Sequence, residues 1–323
     1  MRLIVFGAGA IGGTIAARVF QHGHDVVLMA RGAHAAAIRT HGLRFESPDE
    51  AVCLPIPMLD SVDALDSRPD DVVLLAVKSQ DTSGALHALS WLDRPDLPIV
   101  CAQNGVANEP LALRFFRNVY GVVVMSPTAH LEPGLVQAYS TPVTGILDVG
   151  RYPAGLDGTS AGLCGMFAAS TYASAQRADI VAWKHGKLLA NLTNAIEALC
   201  GTAESRKGQV ARLAVEEGRR CLAAAGIAVS EEDPDAGRGG LLTPKPIGSA
   251  QRPGGSMLQS LRRHSELTEV DYLNGEVVRL GRELAIPTPV NELLQRLVTQ
   301  VARDGHAPGR ISAEQLLIWA RQG

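Results

Sequence analysis

The sequence predicts an α/β domain built on parallel strands, followed by an all-helical domain. A strand leads into a glycine motif at the start of the chain, further apolar runs extend to about residue 175, and helical periodicity begins near residue 178. The 323 residues exceed what one core accommodates at roughly 100–200 residues per domain. We therefore place the two domains at residues 1–177 and 178–323.

The first strand and its glycine motif indicate a nucleotide site. The apolar run Leu3–Phe6 predicts a buried strand, residues 7–12 (GAGAIG) match G-x-G-x-x-G, and a helical pattern and the strand Val26–Met29 follow. In a Rossmann-type domain the first glycine allows a tight turn, the second lets a pyrophosphate approach the backbone, and the third lets helix and strand pack closely. A simple strand-to-helix turn is the weaker alternative. The predicted cofactor contacts are Gly7, Gly9, Ala10, Ile11 and Gly12.

The end of the second strand favours a phosphorylated cofactor. Sites that prefer NAD usually carry Asp or Glu here to hold the ribose 2′-hydroxyl, whereas this strand ends at Ala30 and Arg31. A cation suits a 2′-phosphate, so Arg31 indicates NADPH; a solvated surface arginine is the alternative.

Two further apolar runs end in polar residues. Residues 71–77 lead to Lys78, and residues 98–102 lead to Gln103 and Asn104. Ligands of open α/β sheets bind at the carboxyl ends of strands, so Lys78 and Asn104 are candidates to contact cofactor or substrate. A solvated lysine and a plain Asn-Gly turn are the alternatives, and for Asn104 they are equally weighted.

Composition excludes several classes of partner. A net charge of −3 and 4% aromatic residues argue against nucleic acid and anionic membranes. No run reaches the roughly 20 apolar residues of a membrane span, and the glycine-rich start does not resemble a signal peptide. Five scattered cysteines indicate reduced thiols in a cytoplasmic protein, and none has zinc-site spacing with histidine. We expect neither metal, membrane nor nucleic acid.

The C-terminal half carries a polar stripe on a predicted helix over residues 180–200. Lys187, Asn191 and Asn194 are spaced i, i+4 and i+7, which places them within about 60° of arc on one helix. Solvent-facing helices usually carry Glu and Lys instead, and Asn is a poor helix former, so we favour a site. A helix from residue 210 to Gly226, a long loop over residues 230–255, and two helices around a break at residues 286–291 complete the pattern.

Six separated blocks extend over nearly the whole chain. They are GAGAIGG at residues 7–13, LAVKSQDT at 75–82, AQNGV at 102–106, WKHGKLLANLTNAIEAL at 183–199, GSMLQSL at 255–261 and TEVDYLNGEVVRLGRELAIPTPVN at 268–291. Together these blocks resemble the ketopantoate reductase (2-dehydropantoate 2-reductase) family. The resemblance implies an NADPH-dependent enzyme that reduces a 2-oxo acid to the 2-hydroxy acid, in the cleft between a Rossmann-type domain and a helical domain. It would serve pantothenate biosynthesis. A homodimer is one assembly we consider, although the sequence leaves the oligomeric state open.

Roles carried over by motif follow from this resemblance. Lys187 matches the catalytic lysine of K-L-x-x-N, and Glu269 matches the glutamate of T-E-[IV]-D, which assists it and borders the cofactor. Arg31 matches the residue expected at the 2′-phosphate, and Lys78 matches the cofactor-side lysine. The residues implied to bind substrate are Asn104, Asn191, Asn194 and Ser256, and Asn104 also borders the cofactor.

The sequence departs from the family pattern near the substrate. Arg-Pro-Gly-Gly precedes Ser256, one residue is inserted between Ser256 and Glu269, and the amides of Asn191 and Asn194 are three residues apart instead of four. The substrate is therefore ketopantoate or another 2-oxo acid. A reductase of a different carbonyl or an imine, and a non-catalytic nucleotide sensor, are the alternatives.

Overall fold

An eight-stranded sheet organises the N-terminal part of this computed structural model, which describes residues 1–201 and 208–321. The strands are β1 (Arg2–Phe6), β2 (Val26–Met29), β3 (Leu43–Glu46), β4 (Ala51–Leu54), β5 (Met58–Leu59), β6 (Asp71–Leu75), β7 (Ile99–Cys101), β8 (Val119–Met125), β9 (Thr128–Ala129), β10 (Leu135–Ala138), β11 (Gly145–Arg151) and β12 (Tyr172–Ala173). The larger sheet has the order β12-β11-β8-β7-β6-β1-β2-β5, and a smaller one has the order β4-β3-β10-β9.

Helices connect these strands and then form the rest of the chain. They are α1 (Ala10–Gln21), α2 (Gly32–His41), α3 (Thr82–Ser90), α4 (Asn108–Ala112), α5 (Gly158–Ala169), α6 (Ile180–Asn191), α7 (Asn194–Cys200), α8 (Gln209–Ala224), α9 (Ser256–Arg262), α10 (Asn274–Glu283), α11 (Pro289–Arg303) and α12 (Ala313–Ala320). Short 3₁₀ turns lie at Val62–Ala64, Ser79–Asp81, Ala236–Arg238 and Glu269–Tyr272. The predicted α/β domain followed by a helical domain is confirmed.

The centre of the large sheet is parallel and buried on both faces. Strand β1 pairs in parallel with β2 and β6, with Leu3 opposite Val26 on one side and Val72 on the other. These three side chains are at most 3% exposed. Helix-covered parallel strands require such continuous apolar runs. Strand β11 pairs antiparallel with β8, and β12 runs parallel to β11.

Contacts divide the chain into two compact units. The first unit contains residues 1–103, 107–183 and 231–252, and the second contains residues 104–106, 184–230 and 253–323. The predicted domain ranges, 1–177 and 178–323, stay a prediction.

The segment of residues 231–252, expected as part of a long loop, is tied into the first unit by specific bonds. The Arg238 guanidinium donates to Asp148 on β11 at 2.7 Å. The backbone amide of Lys245 donates to the carbonyl of Tyr139 at 2.7 Å, and that of Thr243 donates to the Ser140 hydroxyl at 3.2 Å. A chain without helical periodicity is ordered here by hydrogen bonds to a neighbouring element.

Two helix predictions in the C-terminal half are wrong in detail. The expected single helix over residues 180–200 is divided into α6 and α7, with Leu192 and Thr193 between them. The helix expected before the break at residues 286–291 begins as the 3₁₀ turn Glu269–Tyr272 and becomes α-helical only at Asn274. Leu273, between them, has φ −115° and ψ −87°, outside the helical region. Apolar periodicity does not register such breaks, since the apolar stripe continues across them.

No helix in residues 1–201 or 208–321 is long and apolar enough to cross a membrane. Over the same ranges, no group of three or more His, Cys, Asp or Glu side chains is placed to hold a metal ion. Cys53 is exposed, contrary to its expected place in an apolar core, whereas the other four cysteines are buried.

Asp148 generates a stability prediction. Its carboxylate is fully buried, accepts from Arg177 at 2.9 Å and Arg238 at 2.7 Å, and also accepts from the backbone amide of Ala175 at 3.0 Å. Asp148→Ala leaves these donors without an acceptor, so we expect the free energy of unfolding to fall by about 3 kcal/mol in urea titrations.

The matched control is an exposed ion pair. Asp60 and Arg39 are each 57% exposed, so Asp60→Ala should cost less than about 1 kcal/mol. Equal losses for the two variants would contradict the assigned role of Asp148.

Candidate functional site

The glycine motif at residues 7–12, called the glycine loop from here on, turns the chain sharply between β1 and α1. Gly7 has a φ of +112°, and a Cβ atom there would lie 2.7 Å from the backbone nitrogen of Val77. Its amide donates to the carbonyl of Met29 at the end of β2 at 3.1 Å. Only glycine satisfies both the backbone conformation and the close approach to the segment after β6.

The next two glycines have opposite surroundings. A Cβ atom on Gly12 would lie 1.9 Å from the Gly7 carbonyl oxygen and 2.8 Å from the Ala76 Cβ, so Gly12 permits α1 to pack against the strands. A Cβ atom on Gly9 would meet nothing within 4 Å. Gly9 therefore leaves open space at the start of α1, where a ligand phosphate can approach the backbone.

The start of α1 suits an anion. Ala10 and Ile11 are its first two residues, Gly9 precedes it, and its first turn contains no acidic side chain. Unpaired amides and the helix dipole make such a terminus favourable for a phosphate. The glycine loop thus fits the pyrophosphate of a dinucleotide.

Arg31 and Lys78 follow β2 and β6, the two strands that flank β1. Arg31 precedes α2, and its side chain is 75% exposed. Its Nη2 lies 3.6 Å from a carboxylate oxygen of Asp81, which belongs to the turn that Lys78 precedes. The predicted cation is therefore present at the end of β2, but an acidic residue that the sequence prediction did not consider accompanies it.

A network of buried polar side chains lies in the segments that follow β6 and β7, beginning at the residue after Lys78. The Thr82 hydroxyl donates to Asn108 at 2.8 Å, the Gln103 amide donates to Thr82 at 3.1 Å, and the Asn108 amide donates to Ser79 at 3.2 Å. All four side chains are at most 5% exposed. This network joins the segments that follow β6 and β7, and so orders the carboxyl edge of the sheet.

Three predicted substrate amides are joined in the second unit. The Asn191 amide donates to the Asn104 carbonyl oxygen at 3.0 Å, and the Asn194 amide lies 3.5 Å from the Asn191 carbonyl oxygen. Asn104 is half-buried, whereas Asn191 and Asn194 are each 7% exposed. We call these three side chains the amide cluster.

The break between α6 and α7 explains why amides three residues apart meet. The backbone amide of Ile196 donates to the Thr193 carbonyl. The side-chain amide of Asn274 donates to the backbone carbonyl of Leu192 at 3.2 Å. Asn274 thus supplies a donor to the carbonyl at the break. The predicted common helical face of Asn191 and Asn194 is wrong, because they lie on two different helices, yet their side chains still adjoin.

Lys187 lies one turn before Asn191 on α6 and is half-buried. Gly186 brings another chain segment close to it, since a Cβ atom there would lie 2.3 Å from the Ser230 carbonyl oxygen. Lys184 and His185 are only 5% and 8% exposed. Of the two lysines on this helix, Lys187 is the more accessible.

Ser256 begins α9, and a buried carboxylate holds the backbone before it. The Gly255 amide donates to Oε1 of Glu197 at 3.1 Å, and Glu197 is 7% exposed on α7. Helix α7 therefore orients both Asn194, its first residue, and the segment that carries Ser256.

Glu269 is buried at the start of its 3₁₀ turn, next to an arginine that the sequence prediction missed. Burial lowers the pKa of the Arg263 guanidinium, and the neighbouring Glu269 carboxylate opposes that shift. The Arg263 Nη2 also lies 3.4 Å from the Ser260 hydroxyl. The adjacent arginines in the block after Ser256 were a signal that sequence analysis could have used.

A groove elsewhere in the second unit does not coincide with these residues. It has a volume of about 770 Å³, and Arg282, Arg296, Arg303 and Trp319 contribute to its lining. None of the predicted site residues lines it. Glycine-loop geometry and the amide cluster therefore mark the candidate site better than cavity size does.

The fold and the glycine loop together define a Rossmann-type dinucleotide-binding protein with a helical second part. A family profile described as "Ketopantoate reductase PanE/ApbA" matches residues 3–153, and one described as "Ketopantoate reductase PanE/ApbA C terminal" matches residues 179–302. The chain belongs to the ketopantoate reductase family and is an oxidoreductase.

Individual relatives agree with this assignment. A 2-dehydropantoate 2-reductase from Pyrococcus horikoshii is 26% identical over 306 residues, covering 92% of this chain and 96% of the relative. The crystal structure of a PanE/ApbA family ketopantoate reductase from Ralstonia eutropha JMP134 has 27% identity and a TM-score of 0.77, with coverage of 94% and 99%. D-mandelate dehydrogenase with NADH and anilino(oxo)acetate has a TM-score of 0.79 at 24% identity, with the same coverage, and shows similarity of fold.

The contrast between Gly9 and Gly12 generates a prediction. Gly9→Ala has room for its methyl group, so its stability should fall by no more than about 1 kcal/mol, the cost of alanine at a helix N-cap. The methyl group should weaken dinucleotide binding roughly tenfold or more by occupying the phosphate position. Fluorescence titration with NADPH and NADH, alongside thermal unfolding, measures both effects.

Gly12→Ala provides the comparison. Its methyl group meets backbone and strand atoms, so this variant should lose stability, by about 1–3 kcal/mol. Normal dinucleotide affinity in Gly9→Ala would show that the open space is not the phosphate position.

Proposed function

We propose that this protein reduces a 2-oxo acid to the 2-hydroxy acid with NADPH. The observation that carries the proposal is the amide cluster, with the accessible Lys187 one turn before Asn191 on α6. Family membership supports reduction, and relatives are named 2-dehydropantoate 2-reductase. Ketopantoate or a related 2-oxo acid is therefore the proposed substrate, and pantothenate biosynthesis is the proposed pathway.

NADPH is proposed as the cofactor, held by the glycine loop, Arg31 and Lys78. Arg31 supports a 2′-phosphate, and the fingerprint acidic residue is missing from the end of β2. Two features oppose strong selectivity: Asp81 lies 3.6 Å from Arg31, and a structural neighbour carries NADH. We expect a preference for NADPH, moderated by Asp81.

Lys187 is the proposed proton donor. When bound, the reduced nicotinamide supplies a hydride to the carbonyl carbon. Negative charge then develops on the substrate oxygen, and an ammonium group stabilises this charge and delivers a proton. A half-buried lysine is suited to this role because partial desolvation strengthens its electrostatic effect.

The remaining proposed site residues orient the substrate. The amide cluster and Ser256 would donate hydrogen bonds to the carboxylate and carbonyl oxygens, which fixes the reacting carbon. Glu269 is proposed to border the cofactor and to hold Lys187. The neighbouring Arg263 carries a positive charge that would attract an anionic substrate, and the Glu269 carboxylate partly offsets this charge.

Substrate identity within this class is left to experiment. Arg252 and the following Pro-Gly-Gly precede Ser256, and one residue is inserted before Glu269. The sequence around the proposed substrate residue Ser256 therefore differs from the family pattern. A different carbonyl or an imine is the second candidate; a non-catalytic sensor would not need Lys187, Ser256 and Glu269 together. A cytoplasmic homodimer is also proposed; a structural neighbour from Staphylococcus aureus, 21% identical, is described as dimeric.

A substrate panel tests the reaction. Ketopantoate, other 2-oxo acids, simple ketones and imines are each mixed with the full-length protein, and oxidation of NADPH is followed by absorbance. We expect turnover with at least one 2-oxo acid, and Lys187→Ala should lower its kcat roughly 10²–10⁴-fold while NADPH binding persists. Turnover confined to imines, or none at all, would refute the proposal.

Lys184→Ala is the positional control, but its buried side chain requires a correction. Because Lys184 is 5% exposed, this variant is expected to lose stability, and its kcat must be expressed per folded molecule. If Lys184→Ala lost more kcat per folded molecule than Lys187→Ala, the proton donor would be Lys184 and the proposed role of Lys187 would be wrong.

Cofactor choice gives a further prediction. Arg31→Ala should raise the KM for NADPH roughly tenfold or more and barely change that for NADH, because only NADPH carries the 2′-phosphate. Asp81→Asn removes the competing carboxylate and should lower the KM for NADPH. Equal effects of Arg31→Ala on both cofactors would contradict a phosphate-binding role.

A further inference from the structure

His34 joins the glycine loop to the smaller sheet. It lies near the start of α2 and is half-buried. Its Nε2 is 2.8 Å from the carbonyl oxygen of Ala8, the residue between the first two motif glycines. The backbone amide of Gly134, next to β10, donates to its Nδ1 at 2.7 Å. One imidazole ring therefore bridges two backbone segments.

These partners determine the protonation state of the ring. A carbonyl only accepts, so Nε2 carries the hydrogen that it donates to Ala8; a backbone amide only donates, so Nδ1 carries none. The bridge requires neutral His34. Protonation would place a hydrogen on Nδ1 against the Gly134 amide and break one of the two bonds.

The Ala8 carbonyl is a point on which the loop geometry depends. A Cβ atom on Gly13 would lie 2.6 Å from that oxygen, so α1 packs directly against it. A shift of Ala8 would move Gly9 and the first turn of α1 together. His34 on one side and α1 on the other therefore fix the Ala8 carbonyl, and with it the position of Gly9 and the open space next to it.

We propose that His34 is a positioning residue for the dinucleotide phosphates, and that its protonation weakens cofactor binding. This inference rests on the proposed function, because it assumes that the glycine loop holds a dinucleotide. His34 acts through the Ala8 carbonyl, so it should affect NADPH and NADH alike. Arg31, in contrast, should affect only the phosphorylated cofactor.

The direction of the pH effect follows from the surroundings of the ring. Burial lowers the pKa of His34 below its ordinary value, although the bond to Ala8 opposes that shift. Neutral His34 therefore predominates at pH 7, and affinity should fall only as the pH drops below about 6.5.

Other titratable and charged side chains near His34 come from the segment around Gly134 and from α2. The His130 ring packs on His34 with centroids 4.3 Å apart, and Glu132 in the same segment pairs with Arg44. The glycine loop contributes no titratable side chain. On α2 the ionisable side chains are Arg39 and His41, both exposed, with exposed Arg31 immediately before the helix.

The test compares wild type, His34→Ala, His34→Gln and the control His41→Ala, an exposed histidine at the other end of α2. Dissociation constants for NADPH and NADH are measured by fluorescence titration between pH 8 and pH 5, with a melting temperature for each protein. Glutamine offers both an amide donor and a carbonyl acceptor without titrating. The 2′-phosphate of NADPH itself titrates near pH 6, so variants are compared at the same pH.

At pH 8 we expect His34→Ala to raise both dissociation constants roughly tenfold, the effect of losing two neutral hydrogen bonds. His34→Gln and His41→Ala should bind like wild type. At the acidic end of the range, wild type and His41→Ala should bind several-fold more weakly than His34→Gln, because the histidine at position 34 becomes protonated whereas glutamine there does not.

Three results would overturn the inference. They are wild-type affinity in His34→Ala at pH 8, the same pH dependence in wild type and His34→Gln, and a lowered melting temperature of His34→Ala without loss of affinity. Failure of wild type to bind either dinucleotide would instead remove the proposed cofactor site, and this inference with it. Binding of dinucleotide without reduction of any 2-oxo acid would leave the inference standing and refute only the proposed reaction.

Discussion

The contact between α1 and the strands beneath it constrains the whole first unit. Gly12 allows α1 to lie so close to β1 that any side chain there would overlap the Gly7 carbonyl oxygen. That closeness sets the start of α1 relative to the carboxyl ends of β2 and β6, from which Arg31 and Lys78 follow. Packing of α1 against the strands therefore sets the position of its N-terminus and of the positive end of the helix dipole, independently of any ligand.

A comparable constraint in the second unit comes from buried hydrogen bonds. Glu217 accepts from the backbone amides of Val290 and Asn291 and from the Asn291 side chain at 2.8–3.0 Å. Asn291 in turn accepts from Asn274, which also donates to the carbonyl of Leu192 at the α6–α7 break. Because an unmade bond to a buried polar group is costly, this chain of bonds holds the amide cluster in one arrangement.

The electrostatic surroundings of the candidate residues differ between the two units. In the first unit Asp81 partly neutralises Arg31 at an exposed edge, where solvent screening weakens both charges. In the second unit Arg263 and Glu269 interact where burial lowers the pKa of the arginine, so each charge acts more strongly on its neighbours. This difference agrees with the proposed preference for NADPH that Asp81 moderates.

Local patterns in the amino-acid sequence predict the central strands, the glycine loop and the family. The run Leu3–Phe6 and the motif at residues 7–12 predict strand, turn and helix directly, since apolar periodicity and the steric needs of glycine are properties of adjacent residues. Other features depend on tertiary contacts: the α6–α7 break, the ordering of residues 231–252, the pairing of Arg31 with Asp81 and the bridge at His34. In each case the deciding partner lies far along the chain, as Asn274 does from Leu192 and Gly134 does from His34, and such long-range hydrogen bonds have no local signature.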